Sequence, residues 1–276
     1  MAVQAVHKIG QMKANSNVLV FGAGPVGLLV MSVAKALGAR TVIAVDIVES
    51  RLQFAKAYAA DDYYLPGKIL EGEERMAYPR RLVRPCLLAF QVFVGYETND
   101  APSQQADEIR ERFGFGERGS TGLGLVVDCT GAEVCIQTGL FAAKHGGTFV
   151  QVNFYGLISQ ESLVCSLERT QVGMGADNVT VPYTHILTKE LTVKGSFRYG
   201  PGCYELALDL VARGLVSTAR LITHRFAFKD CQLAFQANQD GKGSDGKPCV
   251  KIVIDGESRL DVSLENDPDS SSAGPL

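Results

Sequence analysis

The chain has 276 residues and a formal net charge of −3, and 46% of its residues are hydrophobic. This length suits one large domain or a domain with a smaller companion. The nearly balanced charge gives no reason to expect a nucleic-acid partner. The nearest candidate for a membrane span, residues 86–94, has about half of the ~20 apolar residues that a span needs. The N-terminus also lacks the pattern of a secretion signal. We therefore predict a cytoplasmic protein without a membrane partner.

Short apolar runs alternate with helix-like segments along most of the chain. The predicted strands are residues 17–21, 41–45, 62–65, 124–128, 147–152 and 191–195, and the predicted helices are residues 26–37, 49–58 and 132–143. This alternation predicts an α/β fold with a doubly wound parallel sheet. Past residue 200 the pattern changes to two helices, residues 204–213 and 229–238, and a final strand, residues 250–254. The tail, residues 257–276, is rich in Ser, Asp and Pro and is predicted to be disordered.

A glycine-rich motif joins the first predicted strand to the first predicted helix. It consists of Gly22, Gly24 and Gly27 in the pattern G-x-G-x-x-G, with Pro25 at the start of the helix. An acidic residue, Asp46, ends the next strand, 19 residues after the last glycine. The glycine pattern alone is weak evidence, but this strand, helix and acid together predict a dinucleotide-binding site. The alternative is an ordinary strand–turn–helix that binds no ligand.

Each position of this motif has a physical reason. Gly22 permits a tight turn, Gly24 lets a pyrophosphate approach the backbone, and Gly27 lets the helix pack closely on the strand. The free N–H groups at the start of the helix suit the negative charge of the pyrophosphate. Asp46 is predicted to accept hydrogen bonds from the adenosine ribose and to repel a 2′-phosphate. NAD is therefore favoured over NADP.

The cysteines and histidines are scattered along the sequence. Seven cysteines and four histidines include no C-x-x-C pair and no pair at the usual spacing of metal ligands. We therefore predict no metal site within this chain and cysteines that stay reduced.

Several segments together carry a resemblance to a known family. They are residues 18–51, 125–151 and 172–198, and the most specific is residues 188–199, TKELTVKGSFRY. The chain resembles the medium-chain, zinc-dependent polyol dehydrogenases of the sorbitol and xylitol dehydrogenase family. Within that family it is most similar to the fungal xylitol dehydrogenases, or D-xylulose reductases. The resemblance implies a Rossmann domain and a homo-oligomer.

The resemblance also implies an activity and a set of site residues. The family oxidises a polyol such as xylitol to a ketose such as D-xylulose by hydride transfer to NAD, and a zinc ion polarises the hydroxyl. Arg198 and Tyr199 are the candidates for polyol contacts. The alternatives are a surface ion pair for Arg198 and a packed aromatic ring for Tyr199. The residues implied at the cofactor, besides the glycines, are Val26, Asp46, Arg51, Val172, Gly173, Met174, Phe197, Arg198 and Tyr199.

The chain departs from the family pattern at its start. Family members begin with a GroES-like catalytic domain that carries the zinc ligands, and these ligands have no counterpart here. We expect residues 1–200 to form the NAD-binding domain and residues 201–256 to be a remnant that returns to the catalytic domain. The strand at residues 250–254 is then expected to lack its usual partners. Two functions stay open: a polyol dehydrogenase whose chain alone has weak or no activity, and a non-catalytic NAD-binding module.

A second departure is a pair of insertions, residues 83–105 and 152–171. Each begins with Val and ends with Gln, whose codons are compatible with the borders of an intron. Our hypothesis is that both are translated, unspliced introns. The alternative is two surface loops. Sequencing the spliced messenger RNA distinguishes them.

Overall fold

The computed structural model describes residues 1–67, 100–153 and 178–256. The chain divides into two compact units, Met1–Val216 and Ser217–Leu276. Within the described residues, no helix is both long enough and apolar enough to cross a membrane.

The first unit is built on a six-stranded parallel sheet. Its strands are β1 (Asn17–Phe21), β2 (Thr41–Val45), β3 (Asp62–Tyr64), β4 (Leu123–Asp128), β5 (Thr148–Asn153) and β6 (Thr192–Phe197). Their order across the sheet is β3-β2-β1-β4-β5-β6, with every neighbouring pair parallel. The strand order reverses between β1 and β4, and this switch point is where open α/β sheets bind ligands. The predicted doubly wound α/β fold is confirmed.

Helices connect these strands. They are a π-helix at Gln4–Ile9, α1 (Pro25–Ala36), α2 (Glu49–Tyr58), α3 (Asp100–Phe113), α4 (Glu133–Ala142), α5 (Tyr183–Thr188) and α6 (Cys203–Ala212). Every residue of β1 is buried. A strand buried along its whole length is covered on both faces, which explains why its sequence is almost continuously apolar.

A buried apolar core packs around the sheet, and the carboxyl ends of its parallel strands lie at the same edge. Leu19, Phe21, Ile43 and Phe149 belong to one buried apolar cluster. The parallel register places Phe21 opposite both Val45 and Asp128. The turns after β1, β2 and β4 therefore emerge side by side, and the site is assembled from them.

Parts of both proposed insertions lie in regular structure. Helix α3 begins at Asp100, so residues 100–105 form its start and do not interrupt it. Thr138 donates a hydrogen bond to Gln105 at 3.3 Å. In the second insertion, Val152 is buried and pairs with Ser196 in the register of β5 and β6. Residues 83–99 and 154–171 lie outside the described residues, so the intron hypothesis stays a prediction.

The second unit contains a small parallel sheet. Strand β7 (Ile222–Ala227) pairs with β8 (Lys251–Asp255), and α7 (Cys231–Asp240) lies between them in sequence. We expected the last strand to lack its usual partners, and among the described residues it pairs with β7 alone, at the edge of a two-stranded sheet. Strand β7 was not recognised from the sequence. The predicted tail, residues 257–276, lies outside the described residues.

Candidate cofactor-binding site

The fold accounts differently for glycine at each of the three positions of the motif. Gly22 has φ = +93°, a left-handed conformation that glycine adopts without strain. A Cβ on Gly27 would lie 1.8 Å from the carbonyl oxygen of Gly22, so no side chain fits there. A Cβ on Gly24 would meet no atom within 4 Å, and its φ of −78° suits any residue. The fold itself therefore requires Gly22 and Gly27 but not Gly24.

Gly24 is the N-cap of α1, and Pro25 follows as the first helical residue. The first intrahelical hydrogen bond is donated by Leu28 to the carbonyl of Gly24, at 2.9 Å. The N–H groups of Val26 and Gly27 precede this bond, and Pro25 has none. The positive end of the helix dipole and these early N–H groups therefore lie beside the open space at Gly24. This combination favours an anionic ligand.

Asp46 follows β2 and is tied to the glycine-rich turn. Its Oδ2 accepts a hydrogen bond from the N–H of Ala23 at 2.8 Å, and its Oδ1 accepts one from the N–H of Val48 at 2.9 Å. A carboxylate has about four lone-pair positions, so each oxygen can still accept a hydroxyl proton. The next residue, Ile47, is 83% exposed and presents an apolar surface beside the carboxylate. Arg51 lies exposed in the first turn of α2.

A second acid, the buried Asp128, supports the turn after β4. Its Oδ1 accepts hydrogen bonds from the N–H and hydroxyl of Thr130, at 3.0 and 2.6 Å. Its Oδ2 accepts one from the N–H of Gly131, at 2.9 Å. Burial raises the pKa of Asp128, and hydrogen bonds from Thr130, Gln151 and Gly131 oppose that shift. Thr130 in turn packs against Gly22, since its Cγ2 would lie 3.0 Å from a Cβ there.

Asp128 was not among the site residues predicted from the sequence. A recognisable signal existed, because an acid ends a buried strand and is followed closely by Thr and Gly. The sequence analysis also missed Gln4, whose Oε1 accepts hydrogen bonds from the N–H of Gly200 at 3.2 Å and the thiol of Cys203 at 3.0 Å. Gln4 therefore fixes the chain just after β6. Since Gln4 lies about two hundred residues away in sequence, no local pattern indicates this contact.

The end of β6 and the residues after it form a more exposed surface. Phe197 and Tyr199 are 50% and 51% exposed. The guanidinium of Arg198 lies 5.2 Å from the centre of the Phe197 ring, and the ring of Tyr199 meets Tyr204 edge-on at 4.9 Å. Arg198 has φ = +53°, an unusual conformation for a residue with a side chain. Within the described parts of the chain, Arg198 makes no ion pair within 4.0 Å.

The structure thus brings some of the predicted residues together and separates others. Gly22, Gly24, Gly27 and Asp46 lie at the adjacent ends of β1 and β2. Strand β6 lies three strands from β1 in the sheet order, which is roughly 14 Å at the usual spacing between strands. The remaining predicted residues, Val172, Gly173 and Met174, lie outside the described residues.

Among the described residues, the thiols and acids near this edge do not form a metal site. Across residues 1–67, 100–153 and 178–256, no group of three or more His, Cys, Asp or Glu residues could hold a metal ion. Burial raises the pKa of Cys129 far above its usual range, and it raises the pKa of Cys135 to about 11. Both thiols stay protonated at neutral pH. The described residues therefore do not fit a zinc ion.

Comparison with known proteins agrees with this architecture. Residues 25–82 match the family model described as zinc-binding dehydrogenase. The chain is 37% identical over 254 residues to a probable D-xylulose reductase A from Aspergillus clavatus, a match that covers 91% of this chain and 54% of the relative. The chain therefore spans about half the length of the curated relatives it matches.

Solved structures show the same fold. A 2R,3R-butanediol dehydrogenase from Bacillus subtilis superposes with a TM-score of 0.61 at 22% identity, covering 93% of this chain and 55% of the other. An alcohol dehydrogenase from Escherichia coli CFT073, solved with NADH, superposes with a TM-score of 0.56 at 22% identity, covering 91% and 55%.

The fold and the glycine-rich turn define a Rossmann-type domain of the kind that binds dinucleotides. More particularly, residues 25–82 are similar to the zinc-binding dehydrogenases, and the chain is similar to the D-xylulose reductases along 91% of its length.

Proposed function

We propose that the first unit binds NAD. The observation that carries this proposal is the open space at Gly24, where the fold makes no demand for glycine. The helix does not require it either, since Ser, Thr, Asp or Asn would cap its N-terminus as well or better. A ligand backbone that approaches closely explains the missing side chain. The pyrophosphate of NAD has the charge and size that suit this position at the start of α1.

Asp46 is the residue that favours NAD over NADP in this proposal. Two hydrogen bonds, from Ala23 and Val48, hold its carboxylate at the end of β2. The carboxylate can accept hydrogen bonds from the ribose hydroxyls, whereas its negative charge would repel a 2′-phosphate. We therefore propose NAD in preference to NADP. Arg51 is proposed to contact the adenosine side, and Val26 to pack beside the cofactor.

For the activity, we propose the oxidation of a polyol to a ketose, such as xylitol to D-xylulose. Bound NAD supplies the hydride acceptor for such a reaction. Arg198 and Tyr199 are proposed to donate hydrogen bonds to the hydroxyl groups of the polyol, since both side chains are exposed beyond the end of β6. This proposal rests on the similarity to the D-xylulose reductases, and no step is assigned to zinc.

Calorimetric titration tests the cofactor proposal. We expect wild-type chain to bind NAD more tightly than NADP. Asp46→Asn removes the charge and keeps an oxygen that can accept one of the two backbone hydrogen bonds. This variant should shift the ratio of the two affinities toward NADP by about tenfold, which corresponds to about 1.4 kcal/mol. Asp46→Ala should shift the ratio similarly and also weaken binding of both cofactors, because the turn loses its anchor.

An unchanged ratio in both Asp46 variants would contradict the ribose assignment. Formation of NADH from NAD and xylitol, followed by absorbance, tests the activity separately. NAD binding without any NADH formation, with xylitol and sorbitol both supplied and zinc added, would favour the non-catalytic NAD-binding module. The homo-oligomer stays a prediction that sedimentation velocity can check.

A further inference from the structure

The second unit contains a cysteine, a histidine and an aspartate in a line. The thiol of Cys249 lies 3.2 Å from Nδ1 of His224, and Nε2 of the same ring lies 3.2 Å from Oδ1 of Asp245. The cysteine and the aspartate thus contact opposite nitrogens of one imidazole. A single metal ion could not bridge all three, but a proton can pass between the thiol and the ring.

A short hairpin at residues 241–249 holds the histidine ring in place. The imidazole of His224 is only 11% exposed. A Cβ on Gly243 would lie 2.1 Å from Nε2, so the backbone of the hairpin packs directly against the ring. The hairpin is itself closed by hydrogen bonds from Gly243 to Lys247 and from Cys249 to Gly241, both at 2.9 Å. The ring therefore has little freedom to turn away from its two partners.

Asp245 determines which nitrogen of the ring carries the proton. Hydrogen bonds from the backbone of Lys247 and from the His224 ring lower the pKa of Asp245, so its carboxylate is ionised at neutral pH. An ionised carboxylate 3.2 Å from Nε2 favours a proton on that nitrogen. In a neutral ring, Nδ1 is then an acceptor that faces the Cys249 thiol. Thr223 also contacts Nδ1, at 2.9 Å, but its oxygen accepts a hydrogen bond from Val250 and its hydroxyl can point to the carbonyl of Lys251.

Cys249 does not ionise readily by itself. Burial and the charge of Asp245 raise the pKa of its thiol. Reaction at neutral pH therefore requires a base that takes the proton as the sulfur attacks, and an oriented histidine beside a thiol is such a base. Cys249 is also partly exposed, so a small molecule can reach it.

We propose that Cys249 is a site of thiol–disulfide exchange with small disulfides, with His224 as its base and Asp245 as the residue that orients the base. The sulfur of Cys249 attacks one sulfur of the disulfide. A new S–S bond forms as the original one breaks, and the thiol proton passes through His224 to the leaving thiolate. The products are a mixed disulfide on Cys249 and one free small thiol, so the step requires no other oxidant.

The test is the reaction of the full chain with a dipyridyl disulfide, followed by absorbance and localised by mass spectrometry. Cys231, another partly exposed cysteine in the same unit, serves as the internal control. We expect Cys249 to react about tenfold faster than Cys231 at pH 7. The rate at Cys249 should already be high at neutral pH and change little as the pH rises further, because the base removes the thiol proton.

Two variants test the roles of His224 and Asp245, and a third variant serves as a control. His224→Gln should slow the reaction at Cys249 about tenfold and make its rate rise only at alkaline pH, and Asp245→Asn should slow it less. Arg225→Gln, in the same strand but paired with Asp255, should leave the rate unchanged. If a variant fails to fold, the pH profile of the wild-type chain still decides the question. Equal rates at Cys249 and Cys231, or a rate that rises only through the alkaline range, would overturn the proposal.

Discussion

The two ends of the ligand-binding edge in the first unit are built differently. At the ends of β1, β2 and β4, the polar groups are tied to one another: Asp46 holds the glycine-rich turn, and buried Asp128 holds the turn after β4. At the end of β6, by contrast, Phe197, Arg198 and Tyr199 are exposed. The guanidinium of Arg198 lies over the Phe197 ring, and the Tyr199 ring meets Tyr204 edge-on.

The two ends therefore differ in how much of their binding geometry is already fixed before a ligand binds. The β1–β2–β4 end is preorganised, because its backbone N–H groups and carboxylates already have fixed directions. The β6 end offers side chains that can rearrange around a ligand. We therefore expect changes to the tightly packed or hydrogen-bonded groups of the first end, such as Gly27 and Asp128, to affect folding as well as cofactor binding. A change at Gly24, which the fold does not require, should affect cofactor binding alone. Changes at the second end should affect binding with little effect on folding.

The largest expected effect is at Gly27. Gly27→Ala places a Cβ against the carbonyl oxygen of Gly22, which is backbone and cannot move aside without displacing α1. We expect a loss of about 3 kcal/mol or more in the free energy of unfolding, measured by urea denaturation. A loss below about 1 kcal/mol would show that the turn is less rigid than described, and the contrast between the two ends would weaken.

Asp128→Asn should have the next largest effect. The amide supplies one oxygen where two are used, so a backbone N–H near Thr130 or Gly131 loses its acceptor, at a cost of about 2 kcal/mol. The pH dependence is a sharper test. Because burial raises the pKa of Asp128 in the folded state, the carboxyl group binds its proton more tightly there than in the unfolded chain.

The stabilisation that comes from this shift is complete below the ordinary pKa of 3.8 and is lost as the pH rises through the raised value. The stability difference between wild type and Asp128→Asn should therefore shrink from pH 4 toward neutral pH. Thermal unfolding at a series of pH values measures this difference. A difference that grows with pH would show that hydrogen bonding outweighs burial at this site.

The smallest effect on folding is expected at the β6 end. Arg198→Ala and Tyr199→Ala remove exposed side chains and should each change the free energy of unfolding by less than about 0.5 kcal/mol. If these residues contact a polyol, the rate of polyol oxidation should fall in both variants, whereas the affinity for NAD should change little. Differential scanning calorimetry and NAD titration measure the two quantities. A large loss of stability in either variant would mean that this end is also part of the rigid framework.

The sheet and the glycine-rich turn could be predicted from the sequence because their signals are local. Strand β1 is apolar along its length, and the spacing from Gly22 to Asp46 is typical of one βαβ unit. Helix α2 was predicted at its observed limits, residues 49–58. These features depend on residues that are close together in the sequence, so their patterns are visible in a single sequence.

Other features depend on contacts between distant residues. The N-terminal π-helix was not predicted. Gln4 in this helix contacts the chain after β6, and Lys194 of β6 donates a hydrogen bond to the carbonyl of Ile9 at 3.0 Å. The start of α3 at Asp100 was missed because residues 83–105 were interpreted as one insertion. Likewise, β7 has only partly buried or exposed residues, so it lacked the apolar pattern that revealed the other strands.

The most direct test of the account is NAD binding by Gly24→Val, with Gly195→Val as the matched control. Both glycines have open space where a Cβ would lie, and neither has a positive φ. Each variant should therefore stay folded, with a loss of about 1 kcal/mol or less at the N-cap. The account predicts that Gly24→Val loses NAD binding at least about tenfold, whereas Gly195→Val binds NAD as wild type does. Unchanged NAD affinity in a folded Gly24→Val chain would contradict the proposal that the cofactor lies against this turn.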